Sequence, residues 1–168
     1  MDSAERIAAM LKLKPLPAEG GRFVETYRSA DRIPRASLPQ RYTGDRPHCT
    51  AIYYLLTPDT MSAMHRLASD EIYHFYLGDP VEMLQILPDT SFRVLRLGSD
   101  VLGGMEPQVV IPAGVWQGSR LLPGGQFALL GTTVAPGFDA ADCEQGRREN
   151  LTKLCPGARD LITALTAG

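Results

Sequence analysis

Charge of either sign is not in excess in this chain, and histidine and cysteine are scarce. Basic residues number 17 and acidic ones 19, giving a net charge of −2 and a pI near 5.9. A nucleic-acid binder carries a strong basic excess, so that class is excluded. No run of roughly eighteen apolar residues occurs, so no membrane-spanning helix is expected. The opening Met1-Asp-Ser-Ala-Glu-Arg6 lacks the basic-then-apolar order of a signal peptide, and a cytoplasmic location is the expectation. Three cysteines, Cys49, Cys143 and Cys155, are odd in number and have no CxxC spacing, which points to reduced thiols rather than a disulfide framework. Neither Gly103-Gly104 nor Gly124-Gly125 belongs to a phosphate-binding glycine pattern. What remains is 168 residues, 44% hydrophobic, with 16 glycines and 13 prolines. That is one domain of ordinary size, spanning 1–168, cut into many short segments.

The first 14 residues read as a helix. Asp2 caps it, Glu5 completes a capping box, and Ile7, Met10 and Leu11 form its apolar stripe. Gly20-Gly21 turns into a strand at Arg22–Arg28. Six arginines then stand against three acids between Arg22 and Arg46, in a proline-studded loop. This is either a solvated surface or a source of one or two guanidinium forks over a pocket. From residue 49 to about 134, short β-rich runs alternate with turns such as Thr57-Pro-Asp-Thr60, Gly78-Asp-Pro80 and Pro88-Asp-Thr90. Evenly spaced strands joined by tight turns predict an all-β sandwich or barrel rather than βαβ units. Residues 144–166 read as two short helices, the second opened by Pro156 and buried along Leu161, Ile162 and Leu165.

Chemistry concentrates in His65-Arg-Leu-Ala-Ser-Asp-Glu71-Ile-Tyr-His-Phe-Tyr-Leu-Gly78 and in Pro112-Ala-Gly114-Val-Trp-Gln117. Strand alternation puts His65 and Leu67 on one face, and Glu71, Tyr73, Phe75 and Leu77 on one face. His74 should point the other way, as should Tyr53 relative to Tyr54. A carboxylate beside an imidazole orients the ring and makes it a stronger base. Trp116 and Gln117, after a turn at the barrel rim, join Tyr54 as candidate ligand contacts, and Arg28 is a candidate from the N-terminal strand.

These two segments resemble the motifs of the cupin superfamily, G-x5-H-x-H-x3,4-E-x6-G and G-x5-P-x-G-x2-H-x3-N. His65, Glu71, Gly78, Pro112 and Gly114 match. Leu67 and Gln117 stand where histidines are usual, Leu121 where asparagine is, and Glu106 at the opening glycine. Over nearly its full length the chain is similar to a small single-domain cupin family of unknown function, through Gly21–Ser29, Ala51–Leu56, Asp70–Tyr76, Trp116-Gln117 and Val134–Phe138. The resemblance implies an RmlC-like jelly-roll barrel (a double-stranded β-helix) that forms a homodimer and binds a small molecule. Similar barrels include metal-free sugar epimerases and many metal enzymes.

A transition-metal site of the non-haem iron kind takes two histidines and a carboxylate. This chain offers His65, Glu71 and the amide of Gln117, so no cofactor is expected, with a divalent metal on those three residues as the alternative. The leading expectation is binding of a small polar metabolite, such as a sugar derivative, with metal-independent epimerisation or isomerisation. His65, Glu71 and Tyr73 are its catalytic candidates. A metal-dependent dioxygenase or isomerase and a non-catalytic sensor are the other readings.

Overall fold

A computed structural model describes residues 3–166 of the chain. Its strands fall into two packed antiparallel sheets, as the even spacing of short apolar runs predicts. In chain order they are β1 (Lys14–Pro15), β2 (Arg22–Arg28), β3 (Arg32–Ile33), β4 (Arg46–Pro47), β5 (Thr50–Leu56), β6 (Met61–Leu67) and β7 (Asp70–Gly78). There follow β8 (Val81–Ile86), β9 (Phe92–Leu97), β10 (Gln108–Ile111), β11 (Trp116–Leu121), β12 (Ala128–Ala135) and β13 (Cys143–Gln145). One sheet has the order β1-β2-β5-β12-β7-β10 and the other β13-β6-β11-β8-β9, while β3 and β4 pair by themselves in the arginine-rich loop. The predicted cupin jelly roll is the fold observed.

Alternation of side chains drives the packing. Tyr54, Leu56, Tyr73, Val81, Met83, Leu97, Leu121 and Leu130 point between the sheets and form the largest buried cluster. Burying each such side chain contributes about 1.5–3 kcal/mol. Three short helices seal outer faces. Helix α1 (Ser3–Met10) buries Ala4 and Ala8, with Ile7 and Leu11 packed beside them, against Leu55 and Leu129. Met10 is exposed, so the stripe runs through the four-residue pairs Ala4/Ala8 and Ile7/Leu11 rather than through Met10. The predicted cap Asp2 lies outside the described residues, and Glu5 reaches Arg22 at 2.7 and 3.0 Å. Helices α2 (Arg148–Leu154) and α3 (Arg159–Ala164) cover the outer face of β6, β8 and β11 with Leu151, Ile162 and Leu165.

Both terminal helices are shorter than the sequence predicts. Residues 14–15 pair with β2 as a strand, because Lys14 precedes a proline and is biased towards extended backbone. Residues 143–145 pair with β6. Gly146 ends that pairing where its N–H donates to Met64 O, and helix starts only at Arg148. Bulges also alter parity. A register shift between Leu129 and Leu130 opposite β7 carries Leu77 off the inward face, and it is exposed instead.

Candidate functional site

His65 sits on β6 with its side chain inside the barrel, and strand pairing places it directly opposite Gln117 of β11. Gln117 in turn faces Gln85 of β8, Gln85 faces Arg93 of β9, and Gln145 of β13 faces His65. One level of the five-stranded sheet is therefore a polar row, which period-two alternation over separate strands produces only after the strands are paired. Glu71 approaches from β7 in the other sheet.

The hydrogen bonds run from the backbone through His65 and Gln117 to Glu71. Nδ1 of His65 lies 2.7 Å from the Ala63 carbonyl, which can only accept, so Nδ1 carries a proton. Nε2 of His65 lies 2.8 Å from Nε2 of Gln117, whose amide donates to it. The second amide hydrogen goes to Oε2 of Glu71 at 3.0 Å. Gln117 Oε1 is left buried without a hydrogen-bond partner, as are Ser62 Oγ and Ser119 Oγ.

A residue that the motif reading missed completes the site. Glu19 lies in the turn between β1 and β2, and its Oε2 is 3.7 Å from His65 Nε2, while Glu71 Oε2 is 4.0 Å away on the same ring nitrogen. The turn is strapped to the barrel by three contacts: Ala63 N–H donates to Glu19 O, Tyr54 Oη donates to Gly20 O, and Gly20 lies against Met61 O. Gly20 has a φ of +91° and an added Cβ would collide with Met61 O, so only glycine fits there. The sequence signal was an isolated acid ahead of a glycine pair, which by itself reads as an ordinary turn.

Burial sets the electrostatics. Desolvation pushes the carboxyl of Glu71 up to about 7, against the opposing pull of His65. Cys143, whose thiol donates to Glu19 at 3.6 Å, is pushed up to about 12 by burial and then by Glu19, so it is held as the thiol. Burial also raises Tyr54 and Tyr73 well above the ordinary phenol range.

A cavity opens onto this network, lined by Glu19, His65, Leu67 and Glu71 and walled by apolar side chains such as Phe23 and Ile52. Its empty volume is about 490 Å³ once the open mouth is included, room for a small molecule.

Of the predicted site residues, His65, Glu71 and Gln117 converge. Tyr73 and Tyr54 face the interior but belong to the packed core, and the Tyr54 hydroxyl is committed to Gly20. Trp116 is the correction. Strand alternation that turns Gln117 inwards turns Trp116 outwards, where it packs beside the C-terminal helices and lies 4.6 Å beneath the Arg66 guanidinium. Arg28 is at the mouth but not in the lining; it grips Glu25 at 2.7 and 2.9 Å and donates to Phe138 O. The other arginines that the loop might have lent to a pocket are engaged elsewhere, Arg46 in a buried pair with Asp142 at 2.6 Å. His74 faces the outer side of its sheet, bonded to Thr133 and Gln108, as parity requires.

The donor set does not fit a transition-metal centre. The one imidazole nitrogen on the cavity side already accepts an amide hydrogen, Leu67 supplies no lone pair, and Glu19 and Glu71, 3.7 and 4.0 Å from that nitrogen, leave a single imidazole where such a centre takes two. Among the described residues no helix is long and apolar enough to cross a membrane.

Comparison with known proteins follows the same lines. The sequence profile of the family described as Cupin superfamily (DUF985) matches residues 5–146. An uncharacterised protein of Saccharomyces cerevisiae is 33% identical over 132 residues, covering 74% of this chain and 66% of the yeast protein, just under two thirds of its length. The structure of a hypothetical protein from Leishmania major superposes with a TM-score of 0.89 at 30% identity, over 99% of this chain and 100% of that one. A Shewanella oneidensis protein gives 0.87 at 29% identity, over 99% of both chains.

Proposed function

The chain belongs to the DUF985 family of the cupin superfamily, and we propose that its barrel cavity binds a small polar metabolite and moves a proton at a carbon beside a carbonyl, as a metal-independent isomerase or epimerase. The observation that carries this reading is a carboxyl on the cavity wall, Glu71, held near pH 7 and linked through Gln117 to His65. A general base works best when its pKa lies near the working pH, and one so placed supplies roughly 10²–10⁴-fold in rate. Glu71 takes the proton from carbon and the electron pair of the broken C–H bond moves onto the carbonyl oxygen. The proton then returns to the neighbouring atom or to the same carbon. The tyrosines play no part in this scheme, because burial holds their phenols protonated in the core.

Solvent-deuterium incorporation into a panel of aldoses, ketoses and keto sugars tests it by mass spectrometry. Label should enter at least one compound, and Glu71→Gln should slow the exchange by about a hundredfold or more. Compounds that bind without exchanging label across the whole panel would leave a binding or sensor module instead.

We also propose that the protein pairs with a second copy of itself through the six-stranded sheet. Tyr27, Tyr76 and Val110 of that sheet are about half exposed, and Tyr53 packs edge-on against Tyr76 at 5.9 Å. A patch of this kind needs a cover. Sedimentation equilibrium at micromolar concentration should give the dimer mass, and Tyr76→Glu should give the monomer. A wild-type monomer defeats the proposal.

A further inference from the structure

The cavity is polar at one corner and hydrocarbon elsewhere. Glu19 and Glu71 meet the same ring nitrogen of His65 at 3.7 and 4.0 Å, which defines the polar corner. The remaining polar groups of the lining are committed. Glu25 is held by the bidentate Arg28 guanidinium, Thr50 Oγ accepts the Phe138 N–H, and the Thr132 hydroxyl is directed at the Glu71 carboxyl. The rest of the wall is Leu16, Phe23, Ile52, Leu67, Val134 and Phe138. No lysine or arginine lines it. The His65 ring does not stand in for one in either protonation state. Neutral, it has no charge to offer; charged, it is already shared between Glu19 and Glu71.

Resting on the reading that Glu71 moves a proton beside a carbonyl, we infer that the substrate is an uncharged short-chain hydroxy ketone. Its carbonyl and neighbouring hydroxyl sit at the Glu19–His65–Glu71 corner, and a methyl or methylene end lies against Phe23, Ile52 and Leu67. Short deoxy-ketoses are compounds of this kind. Carboxylate oxygens accept, so a hydroxyl beside the carbonyl brings the donor that the corner needs. A phosphorylated or carboxylated compound would carry its charge into a low-dielectric space beside two carboxyls, with no free cation to receive it. A polyol fails at the opposite wall. Hydroxyls there would lie against hydrocarbon, and each hydrogen bond left unmade weakens binding by roughly tenfold.

Three carbonyl compounds with the same number of non-hydrogen atoms separate these effects: acetoin, dihydroxyacetone and pyruvate. Acetoin has methyl ends, dihydroxyacetone replaces them with hydroxyls, and pyruvate carries a charge. Binding to the full chain at pH 8 is followed by NMR shifts of the Phe23 and His65 ring protons, and label uptake from D₂O by mass spectrometry. Acetoin should bind at least about tenfold more tightly than dihydroxyacetone and take up label, and pyruvate should leave the ring protons unmoved. Ile52→Thr puts a hydroxyl on the hydrocarbon wall with little change of shape, and should cut the preference for acetoin to about threefold or less. Dihydroxyacetone bound as tightly as acetoin, or pyruvate bound in the cavity, overturns the substrate assignment and leaves the proton transfer at Glu71 standing if label still enters. An unchanged preference in Ile52→Thr overturns the assignment as well. Acetoin bound with the stated preference but never labelled upholds what the cavity selects and defeats the isomerase reading. If none of the three moves the ring protons, both fall.

Discussion

Glu71→Gln should make the folded protein more stable above pH 7 by up to about 3 kcal/mol, and should flatten its stability between pH 4.5 and 7. The sign follows from linkage. Glu71 is pushed from 4.5 to about 7 by burial, so the folded state holds this proton more tightly than the unfolded chain does. Its contribution to stability is therefore full below pH 4.5 and is lost as the pH rises through about 7. At 1.36 kcal/mol per pKa unit the loss comes to about 3 kcal/mol. Glutamine keeps the shape, still offers an oxygen to the Gln117 amide, and has nothing to ionise. Urea denaturation of both proteins from pH 4 to 8.5 checks this, with the difference between the two curves as the quantity of interest. Parallel curves would mean that Glu71 ionises as it does in water, and the proposed base would lose its tuning. The same variant should slow deuterium exchange by about a hundredfold or more. Gain in stability with loss of function marks a group kept for chemistry rather than for folding.

The double substitution Leu67→His with Gln117→His should give the cavity a transition-metal site of high affinity. His65 and Leu67 both line the cavity, and Gln117 stands opposite His65 in the strand register. Histidines at those two positions would join His65 and Glu71 in a three-nitrogen, one-carboxylate set. Removing Gln117 also frees the lone pair on His65 Nε2 that its amide now occupies. Affinity for Ni²⁺ or Co²⁺ should rise by at least about a hundredfold over the native protein, with the visible spectrum of Co²⁺ reporting the ligand set. Gln117→His alone should give a smaller rise, since it frees His65 and completes two histidines and a carboxylate but leaves Leu67 in the cage, and Leu67→His alone should give the least, since the Gln117 amide still occupies His65. Tight, stoichiometric metal in the native protein, lost on His65→Ala, would defeat the metal-independent reading.

Local pattern made the barrel legible. Alternating short runs, the turns between them and the His65/Glu71/Gly78 and Pro112/Gly114 spacings are all properties of neighbouring residues, and they predicted the strands, the inward face of Glu71 and Tyr73, and the outward face of His74. Trp116 was misplaced because a rim position by itself does not say which face of the next strand it takes. Strand alternation settles that once Gln117 is known to point in. Leu77 and Met10 were misplaced because a bulge and a helix phase each shift parity by one residue, which costs little locally and leaves no mark in composition.

From the sequence alone came the fold class, the His65–Glu71 pair and the replacement of two expected histidines. Only the folded chain decided that Glu19 joins them, that Gln117 bridges them through its nitrogen, and that every arginine of the N-terminal loop stays out of the cavity lining. The physical reason is separation along the chain. Glu19, His65, Glu71, Gln117 and Cys143 come from five segments, and their mutual desolvation exists only once both sheets have closed around them.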